Sequence, residues 1–377
     1  MYQVKQKKKN NEEFLNFLYK NPSFTTSQAG KILGLTYPTT KRIVDDFLEE
    51  NLLIQNNNIS NTIGRSSASF SLNKKRFYSV GVQIELKKIS FILIDISGNV
   101  IKENSILNVE YNNDNFSKII HDLFFNFYSS IEECVRDKIL GIGISFPGIV
   151  DDTEKTISNA VNLDLKNIPI GEIFQEFHEN IYLENEANAC IYSEKIIGKG
   201  KDFKDFVVIS IGSGIGAGLY INSSLYKGGH HLSGEFGHIS IDYLGKQCNC
   251  GNRGCWELYV SENAISDYLE KTQDKSLDKL FNSSTNSTFV DEYIKIFSIG
   301  LKNILFALDV NNIIISGNMS KYLLSHKEKI TQNIKKNSFF RDYQLELLFS
   351  DLNNRSSVLG AALIPVSKYF NLVLDSN

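Results

Sequence analysis

Four residues of types that bind soft metal ions lie close together in the sequence. Cys248, Cys250 and Cys255 fall within eight residues, and His238 precedes the first of them by ten positions. Thiolate sulfur and imidazole nitrogen are ligands of structural Zn²⁺, and a Cys₃His set fills all four positions of its tetrahedron, leaving none to activate water. We therefore predict a structural zinc site. The alternative is a surface loop of reduced cysteines, in which three neighbouring thiols would stay reactive.

The cysteine count also bears on the cellular compartment. Five cysteines are an odd number, and the clustering of three suits metal binding in a reducing compartment better than a disulfide framework. The first 35 residues contain no apolar signal-peptide core, and no apolar run reaches membrane-spanning length. We expect a cytoplasmic protein without membrane contact, in which Cys134 and Cys190 are small buried hydrophobic residues.

The amino-terminal end is basic, although the whole chain has a net charge of −3. Residues 1–78 contain 12 Lys and Arg against 6 Asp and Glu, a net charge of +6, which leaves −9 for the remaining residues. A basic end on an acidic body is typical of nucleic-acid-binding proteins. The alternative is a solvated basic tail, because Lys5, Lys7, Lys8 and Lys9 supply four of these charges.

Capping and turn signals in this end predict three helices followed by two strands. The helices are expected at 12–19, from Thr25 or Thr26 to Gly34, and from Thr36 to about 49, and the strands at 52–54 and 69–72. Seven apolar residues are expected to form the small core between them: Ile32, Leu33, Leu35, Ile43, Val44, Phe47 and Leu48. A polar loop between two strands after three helices is typical of a wing.

These elements predict a winged helix-turn-helix domain over residues 1–73 and a linker at 74–78. The residues predicted to contact DNA are Thr36, Thr39, Thr40, Lys41 and Arg42 of the third helix and Arg65 of the wing. Arg65 suits the negative potential of a narrow A·T minor groove, and the basic pair of the helix suits phosphates or guanine edges. The alternative is a helical protein-interaction or dimerisation module.

From Ser79 onward the pattern changes to that of an α/β domain. Residues 80–145 read as strand, strand, strand, helix and strand, and a second block begins with a strand at 206–211 and a glycine-rich turn. This predicts two lobes with a cleft between them. We place lobe one at about 79–192 plus a C-terminal helix at about 356–377, and lobe two at about 193–355. The sequence has no internal repeat.

Five motifs of this domain resemble the ROK family, which includes repressors, uncharacterised proteins and sugar kinases. They are GIGISFPG at 141–148, ENEANA at 184–189, GSGIGAG at 212–218, GEFGH at 234–238 and CWE at 255–257. The resemblance covers residues 79–377. It implies an α/β, two-lobed, actin-like (ribonuclease H-like) ATPase-type fold, which a small α+β winged helix-turn-helix domain would precede here.

The resemblance further implies a sugar site. Its residues would be Pro147, Gly148, Asn185, Glu186, Glu235, His238 and Glu257. Carboxylates and fixed amides suit sugar hydroxyls, and a zinc-braced loop would hold them without reorganisation. His238 would bind zinc through one ring nitrogen and leave the other for a neighbour or the sugar. The alternative is that Glu235 and Glu257 merely pair with nearby Lys or Arg.

Two departures from the family's kinases argue against phosphoryl transfer. Where the kinases have Asp-x-Gly-Gly-Thr around the ATP phosphates, this chain has Gln83, Ile84, Glu85, Leu86 and Lys87. Two side chains, one of them a carboxylate, then replace the glycines that approach polyphosphate. The kinases' catalytic Asp is Glu186 here, which moves the carboxylate by one methylene. We predict no catalytic residues, although the second glycine turn is intact.

These features together predict a sugar-responsive DNA-binding transcriptional regulator, more specifically a repressor of carbohydrate-metabolism genes. A homodimer or homotetramer would bind a pseudo-palindromic, A·T-rich operator and release it when a sugar or sugar phosphate closes the lobes. Xylose, glucose, N-acetyl sugars and their 6-phosphates all suit such a site. The alternatives are a sugar kinase with an atypical phosphate loop and a regulator controlled by a partner protein.

Overall fold

The chain begins with a small domain, here called the head. The computed structural model describes residues 2–56, 68–160, 163–177, 179–270, 276–282 and 287–375. The elements of the head are α1 (Tyr2–Lys20), β1 (Phe24–Thr25), α2 (Thr26–Leu33), α3 (Tyr37–Glu49), β2 (Leu53–Asn56) and β3 (Ser69–Leu72). The strands pair antiparallel in the order β1-β3-β2. Three helices followed by a two-stranded hairpin is the predicted order, with one short strand added.

Local sequence sets the ends of the middle helix. The Thr25 hydroxyl accepts a hydrogen bond from the backbone N–H of Gln28 at 3.3 Å, and the Gln28 side chain accepts one from the N–H of Thr25 at 2.8 Å. This reciprocal pair satisfies two N–H groups that α2 leaves without helical partners. Gly34 ends the helix with φ 64°, a left-handed conformation that favours glycine. Both ends lie where the sequence predicted them.

Three expectations for the head were wrong. Thr40, predicted on the exposed face of α3, is fully buried, because its side chain fills the contact with Gly30 of α2 and donates to the Thr36 carbonyl at 3.0 Å. Ile32 was predicted in the core but is 63% exposed, since it lies about 200° around the helix from buried Gly30. The first helix begins at Tyr2, with Lys8–Glu12 and Lys9–Glu13 ion pairs along its polar first turns.

Lobe one contains two sheets. Its elements are β4 (Tyr78–Glu85), β5 (Lys88–Asp95), β6 (Val100–Leu107), α4 (Phe116–Ser129), α5 (Glu133–Arg136), β7 (Ile139–Phe146), β8 (Ile149–Asp151), β9 (Thr156–Ala160), β10 (Leu165–Pro169), α6 (Ile170–Ile173), β11 (Ile181–Asn185) and α7 (Glu186–Ile196). The large sheet has the order β11-β7-β4-β5-β6, and the small sheet has the order β10-β9-β8. Cys190 is buried in α7 as predicted, whereas Cys134 is exposed because α5 lies at the surface.

Lobe two contains one sheet of order β16-β15-β12-β13-β14-β17. Its elements are β12 (Phe206–Ile211), β13 (Ile215–Ile221), β14 (Ser224–Leu225), α8 (Glu257–Val260), α9 (Glu262–Leu269), α10 (Leu277–Asn282), α11 (Ser287–Leu308), β15 (Asn312–Ser316), α12 (Ser320–Leu324), α13 (Lys327–Lys335) and β16 (Glu346–Phe349). The chain then returns to lobe one as α14 (Ser356–Phe370), and β17 (Leu374–Asp375) pairs with β14 of lobe two. In the part of the chain described, no helix is long and apolar enough to cross a membrane.

The two lobes share one strand order. In each large sheet three consecutive strands pair antiparallel, and two later strands add in parallel beside the first. This duplicated sheet is the two-lobed actin-like fold that the sequence motifs implied.

Helix α14 is buried because glycines let its backbone approach its neighbours. A Cβ on Gly143 of β7 would lie 1.9 Å from the Ala361 carbonyl oxygen, and one on Gly360 would lie 1.8 Å from the Ala189 carbonyl oxygen of α7. Pro365 has no N–H, so it cannot donate to the Ala361 carbonyl as a helical residue would. That carbonyl instead faces Gly143. The helix therefore packs between the sheet and α7 through backbone contacts so close that any residue larger than glycine at position 143 or 360 would clash.

The same helix contacts the head. The ring of Tyr19 in α1 lies 5.4 Å from that of Phe370, and the Asn16 side chain donates to the Asn371 carbonyl. Burial, followed by the nearby charge of Asp95, raises the pKa of Tyr19. The head is thus joined to lobe one by an aromatic contact and a hydrogen bond in addition to the chain itself.

We predict that Gly143→Ala lowers the free energy of unfolding by at least about 1–3 kcal/mol, because the new methyl group overpacks the contact with α14. Thermal or urea unfolding followed by circular dichroism measures the change. Gly229→Ala is the control, since nothing lies within 4 Å of a Cβ there. Equal stability of the two variants would contradict this account of the α14 contact.

Candidate functional site

The four candidate metal ligands converge in lobe two. The ligand atoms of His238, Cys248, Cys250 and Cys255 all lie within 4.8 Å of one another. The Cys250 and Cys255 sulfurs are 3.7 Å apart, and Cys248 Sγ lies 3.6 Å from His238 Nδ1. A tetrahedral zinc ion with Zn–S bonds of about 2.3 Å places two sulfurs about 3.8 Å apart. The cluster can therefore hold a metal ion, and its dimensions fit zinc.

A folded loop positions these ligands. Backbone bonds from Ile241 to Gly254 and from Gly254 to Lys246, both 2.8 Å, close the loop between the first and last ligand. Gly254 has φ 66°, and a Cβ there would lie 1.7 Å from the Asp242 carbonyl oxygen, so only glycine fits. Burial, together with the neighbouring thiols, raises the pKa of Cys255. A bound cation reverses that effect because it stabilises thiolates.

The lobe-one part of the predicted sugar site is an asparagine that holds a turn. Asn185 precedes α7, and its side-chain oxygen accepts from the N–H of Ala187 at 2.8 Å. Its side-chain nitrogen donates to the Gly148 carbonyl at 3.0 Å. One side chain therefore caps α7 and fixes the turn that Pro147 and Gly148 form between β7 and β8. Glu186 is the first residue of the helix.

The lobe-two part lies against the metal cluster. His238 Nδ1, on the side of the thiols, is 3.3 Å from Glu257 Oε1, and Nε2, on the other side, is 3.8 Å from Glu235 Oε2. Glu257 Oε1 is also 3.6 Å from Cys248 Sγ. A metal bound at Nδ1 leaves Nε2 directed toward Glu235. The two carboxylates are thus positioned by the ligand loop itself.

The electrostatics indicate that the two parts face one space. Burial raises the pKa of Glu186 to about 7, and the charges of Glu85 and Glu235 add to the shift. Burial also raises the pKa of Glu235; the charge of His238 opposes this rise, and that of Glu257 adds to it. Glu186 belongs to lobe one and Glu235 to lobe two. Glu186 of lobe one therefore lies near enough to Glu235 of lobe two for their charges to interact.

The β4–β5 turn carries Glu85, which the sequence comparison with the family's kinases predicted to stand in place of a phosphate-loop glycine. Glu85 and Lys88 pair at 2.9 Å across the β4–β5 turn, and Leu86 is 48% exposed there. The charge of Glu85 also raises the pKa of Glu262, after the larger effect of burial. Glu85 is thus close enough to both Glu186 and Glu262 to affect their pKa values. Glu262 was not predicted, since nothing in its local sequence marks it.

The predicted DNA-contact residues differ in where the structure places them. Lys41 and Arg42 are exposed on α3, where Lys41 pairs with Asp45 at 2.7 Å. The hydroxyls of Thr36 and Thr39 lie 2.9 Å apart at the start of the same helix. Thr40 is buried and is withdrawn from the set. Arg65 lies outside the described residues.

Sequence reasoning also missed a charged residue beside the cleft. Lys227, which follows β14, lies 2.7 Å from carboxylate oxygens of both Asp152 and Glu184. Glu184 lies within a motif that we had noted, but a lysine 43 positions later gave no sign of meeting it. Only the folded chain places the two together.

The chain was compared with known proteins. A protein named xylose repressor from Bacillus spizizenii is 31% identical over 384 residues, covering 97% of each chain. A solved ROK family transcriptional regulator, described as a homologue of the E. coli MLC protein, matches with a TM-score of 0.80 at 20% identity, covering 96% of this chain and 97% of that one. A ROK family glucokinase from Streptomyces griseus matches with a TM-score of 0.63 at 22% identity, covering 76% of this chain and 98% of its own.

The two structural matches are too low in identity to show more than the fold. The family model described as "ROK family" matches residues 79–367, which include both lobes, the ligand loop and most of α14. The chain therefore belongs to the ROK family.

Proposed function

We propose that this chain is a sugar-responsive transcriptional repressor that binds DNA through its head and a sugar in the cleft between its lobes. The observation that carries the proposal is the union, in one chain, of a basic helix-turn-helix head with a cleft that collects Asn185, Glu235 and Glu257. The relative named xylose repressor matches the chain along 97% of both lengths, head included. That name makes D-xylose the first sugar to test.

The sugar would contact both lobes. Glu235 and Glu257 suit hydroxyl groups as charged acceptors, and the Gly148 turn held by Asn185 offers fixed backbone groups. A ligand that contacts both lobes binds the closed form more tightly than the open form and therefore shifts the population toward closure. Release from DNA follows if closure changes the spacing of two heads.

The head would bind DNA as part of a homodimer or homotetramer. Lys41 and Arg42 on α3 are placed for phosphate or base contacts, and two heads would read the halves of a pseudo-palindromic operator. The role of Arg65 stays a prediction from the sequence.

We expect the purified protein to bind its operator with affinity that falls steeply with salt, and D-xylose to weaken that binding. Fluorescence anisotropy with the DNA upstream of the gene, titrated with D-xylose, D-glucose, N-acetyl-D-glucosamine and their phosphates, measures both. Glu235→Gln should bind the operator as the wild type does but need at least about tenfold more sugar for release. Operator affinity that is the same with every sugar would refute sugar-controlled release.

We further propose that the cluster of His238 and the three cysteines holds structural zinc. Zinc in this place would fix Glu257 through the ligand loop and leave His238 Nε2 facing Glu235.

The expected result is one zinc per chain by elemental analysis, and loss of that zinc in Cys255→Ser. Removal of zinc should lower the melting temperature, because a metal that binds only the native loop stabilises it. Cys134→Ser is the matched control, since Cys134 lies outside the cluster. A metal content unaffected by Cys255→Ser would exclude the cluster as the site.

A kinase is the second candidate, and one observation favours it. A carboxyl group with a pKa of about 7, as at Glu186, suits a proton acceptor at neutral pH. Against it, the carboxylates at 85, 186 and 262 would repel polyphosphate, and side chains at 85 and 86 occupy the approach that glycines leave open in the kinases.

Mg-ATP should therefore cause no thermal shift, with or without D-xylose, and a coupled assay should detect no ADP release above that of buffer. A shift by Mg-ATP that grows when sugar is added would instead support the kinase. Glu85→Gly with Leu86→Gly tests the reason, since restoring both glycines should allow nucleotide binding if these side chains are the obstacle.

A further inference from the structure

One lysine bridges the two lobes beside the cleft. Lys227 belongs to lobe two, two residues after the end of β14, and its Nζ lies 2.7 Å from Asp152 Oδ2 and 2.7 Å from Glu184 Oε2. Both carboxylates belong to lobe one. The side chains of Lys227, Glu184 and Asp152 are 13%, 4% and 35% exposed, so the Lys227–Glu184 pair is shielded from water and Asp152 is partly open to it. Removing one partner of a shielded ion pair costs more than removing one at the surface, because it leaves a buried charge without its partner.

On the lobe-one side, the bridge joins the segments that carry Gly148 and Asn185. Glu184 Oε1 accepts hydrogen bonds from the N–H of Asn185 at 2.9 Å and from the Asn188 side chain at 3.0 Å. Asp152 follows β8, the strand that begins directly after Gly148. One carboxylate therefore fixes the start of α7, and the other lies four residues beyond the turn.

On the lobe-two side, the bridge leads to Glu235. The Ser233 hydroxyl donates to the Tyr226 carbonyl at 2.7 Å, which draws the ends of the intervening loop together. Gly234 then lies against the Ala217 carbonyl, where a Cβ would be 1.8 Å from the oxygen. Lys227 and Glu235 are thus the two ends of one compact loop.

We propose that Lys227 is a positioning residue for the sugar site, which holds the Glu235 loop of lobe two against the Gly148 and Asn185 segments of lobe one. The inference rests on the proposed sugar-binding function. It adds that the site is complete only while this bridge is made, so that affinity for sugar depends on a residue that need not touch it.

The charges around the bridge support this role. Burial acts to raise the pKa of Asp152, but the hydrogen bond and charge of Lys227 outweigh it and hold the pKa below its ordinary value. Lys155 and His231 lower the pKa of Asp152 further. Without Lys227, two carboxylates of lobe one would remain close together with no ammonium group between them, and lobe two would lose its ionic contact with both of them.

The test compares Lys227→Met, Lys227→Arg and Lys204→Met in the full-length, zinc-loaded protein. Lys204 is an exposed lysine of lobe two and serves as the control. Isothermal titration measures the Kd for D-xylose, and hydrogen exchange with mass spectrometry measures the protection of residues 148–152 and 226–235 without sugar. Lys227→Met should weaken D-xylose binding at least about tenfold and speed exchange in both segments, with zinc content unchanged.

Arginine at this position should restore a large part of both properties, which loss of a merely structural contact would not predict. Asp152→Asn, which keeps the lysine and one carboxylate, should weaken binding in the same direction but less, and it provides the test if Lys227→Met does not fold. D-xylose affinity within twofold of wild type in Lys227→Met, with unchanged exchange, would overturn the proposal.

The two arms separate this proposal from the proposed function. If the wild type binds no D-xylose or other sugar, the sugar-binding function fails, while faster exchange in both segments of Lys227→Met still supports the bridge. If the wild type binds D-xylose and only the bridge variants leave binding and exchange unchanged, the role of Lys227 fails alone.

Discussion

The contact of α14 with β7 and α7 is the constraint on which the rest of the body depends. At Gly143 and Gly360 the backbone of α14 lies directly against the backbones of β7 and α7. The Ala361 carbonyl faces Gly143, and it receives no helical hydrogen bond from Pro365 because proline has no N–H. Helix α7 carries the capping Asn185 at its start, so its position sets that of the lobe-one half of the cleft. Interiors this closely packed transmit displacement instead of absorbing it. The lobe-one half of the proposed sugar site is therefore attached to a rigid part of the core.

The lobe-two half of the cleft is held in a different way. It depends on the loop that carries the four candidate metal ligands, which contains few apolar residues. The four ligand residues lie in a segment folded by glycine turns and short backbone bonds rather than by a core of its own. In such segments a bound metal ion stabilises the folded loop, because its binding free energy adds to the free energy of folding. Because His238 lies between Glu235 and Glu257, fixing the histidine also fixes the distance between the two acidic groups.

The sequence was most informative where chemistry is local and least informative where it depends on distant contacts. The Cys₃His spacing, the Thr25 cap and the Gly34 stop act within a few residues, and the structure has them where the sequence predicted. The burial of Thr40 depends instead on how α2 crosses α3, because a hydroxyl can face either water or a neighbouring glycine. Lys227 met Glu184 only through the folding of two lobes. The duplicated sheet likewise left no repeat in the residues, since strand order is preserved by many sequences.

Lobe two and helix α14 are both connected to the head through the C-terminal segment. Strand β14, which leads directly to Lys227, pairs with β17, and β17 follows Asn371 at the end of α14. Asn371 also accepts the hydrogen bond from Asn16 of α1. Two hydrogen bonds stabilise the turn between α14 and β17: the N–H of Leu372 donates to the Ser367 carbonyl, and the N–H of Val373 donates to the Ser367 hydroxyl. A rotation of lobe two that closes the cleft would thus displace β14, then β17, and then the C-terminal part of α1 around Asn16. A single strand pair and a turn separate the proposed sugar cleft from the head that we propose to bind DNA, so coupling between them would require no further domain.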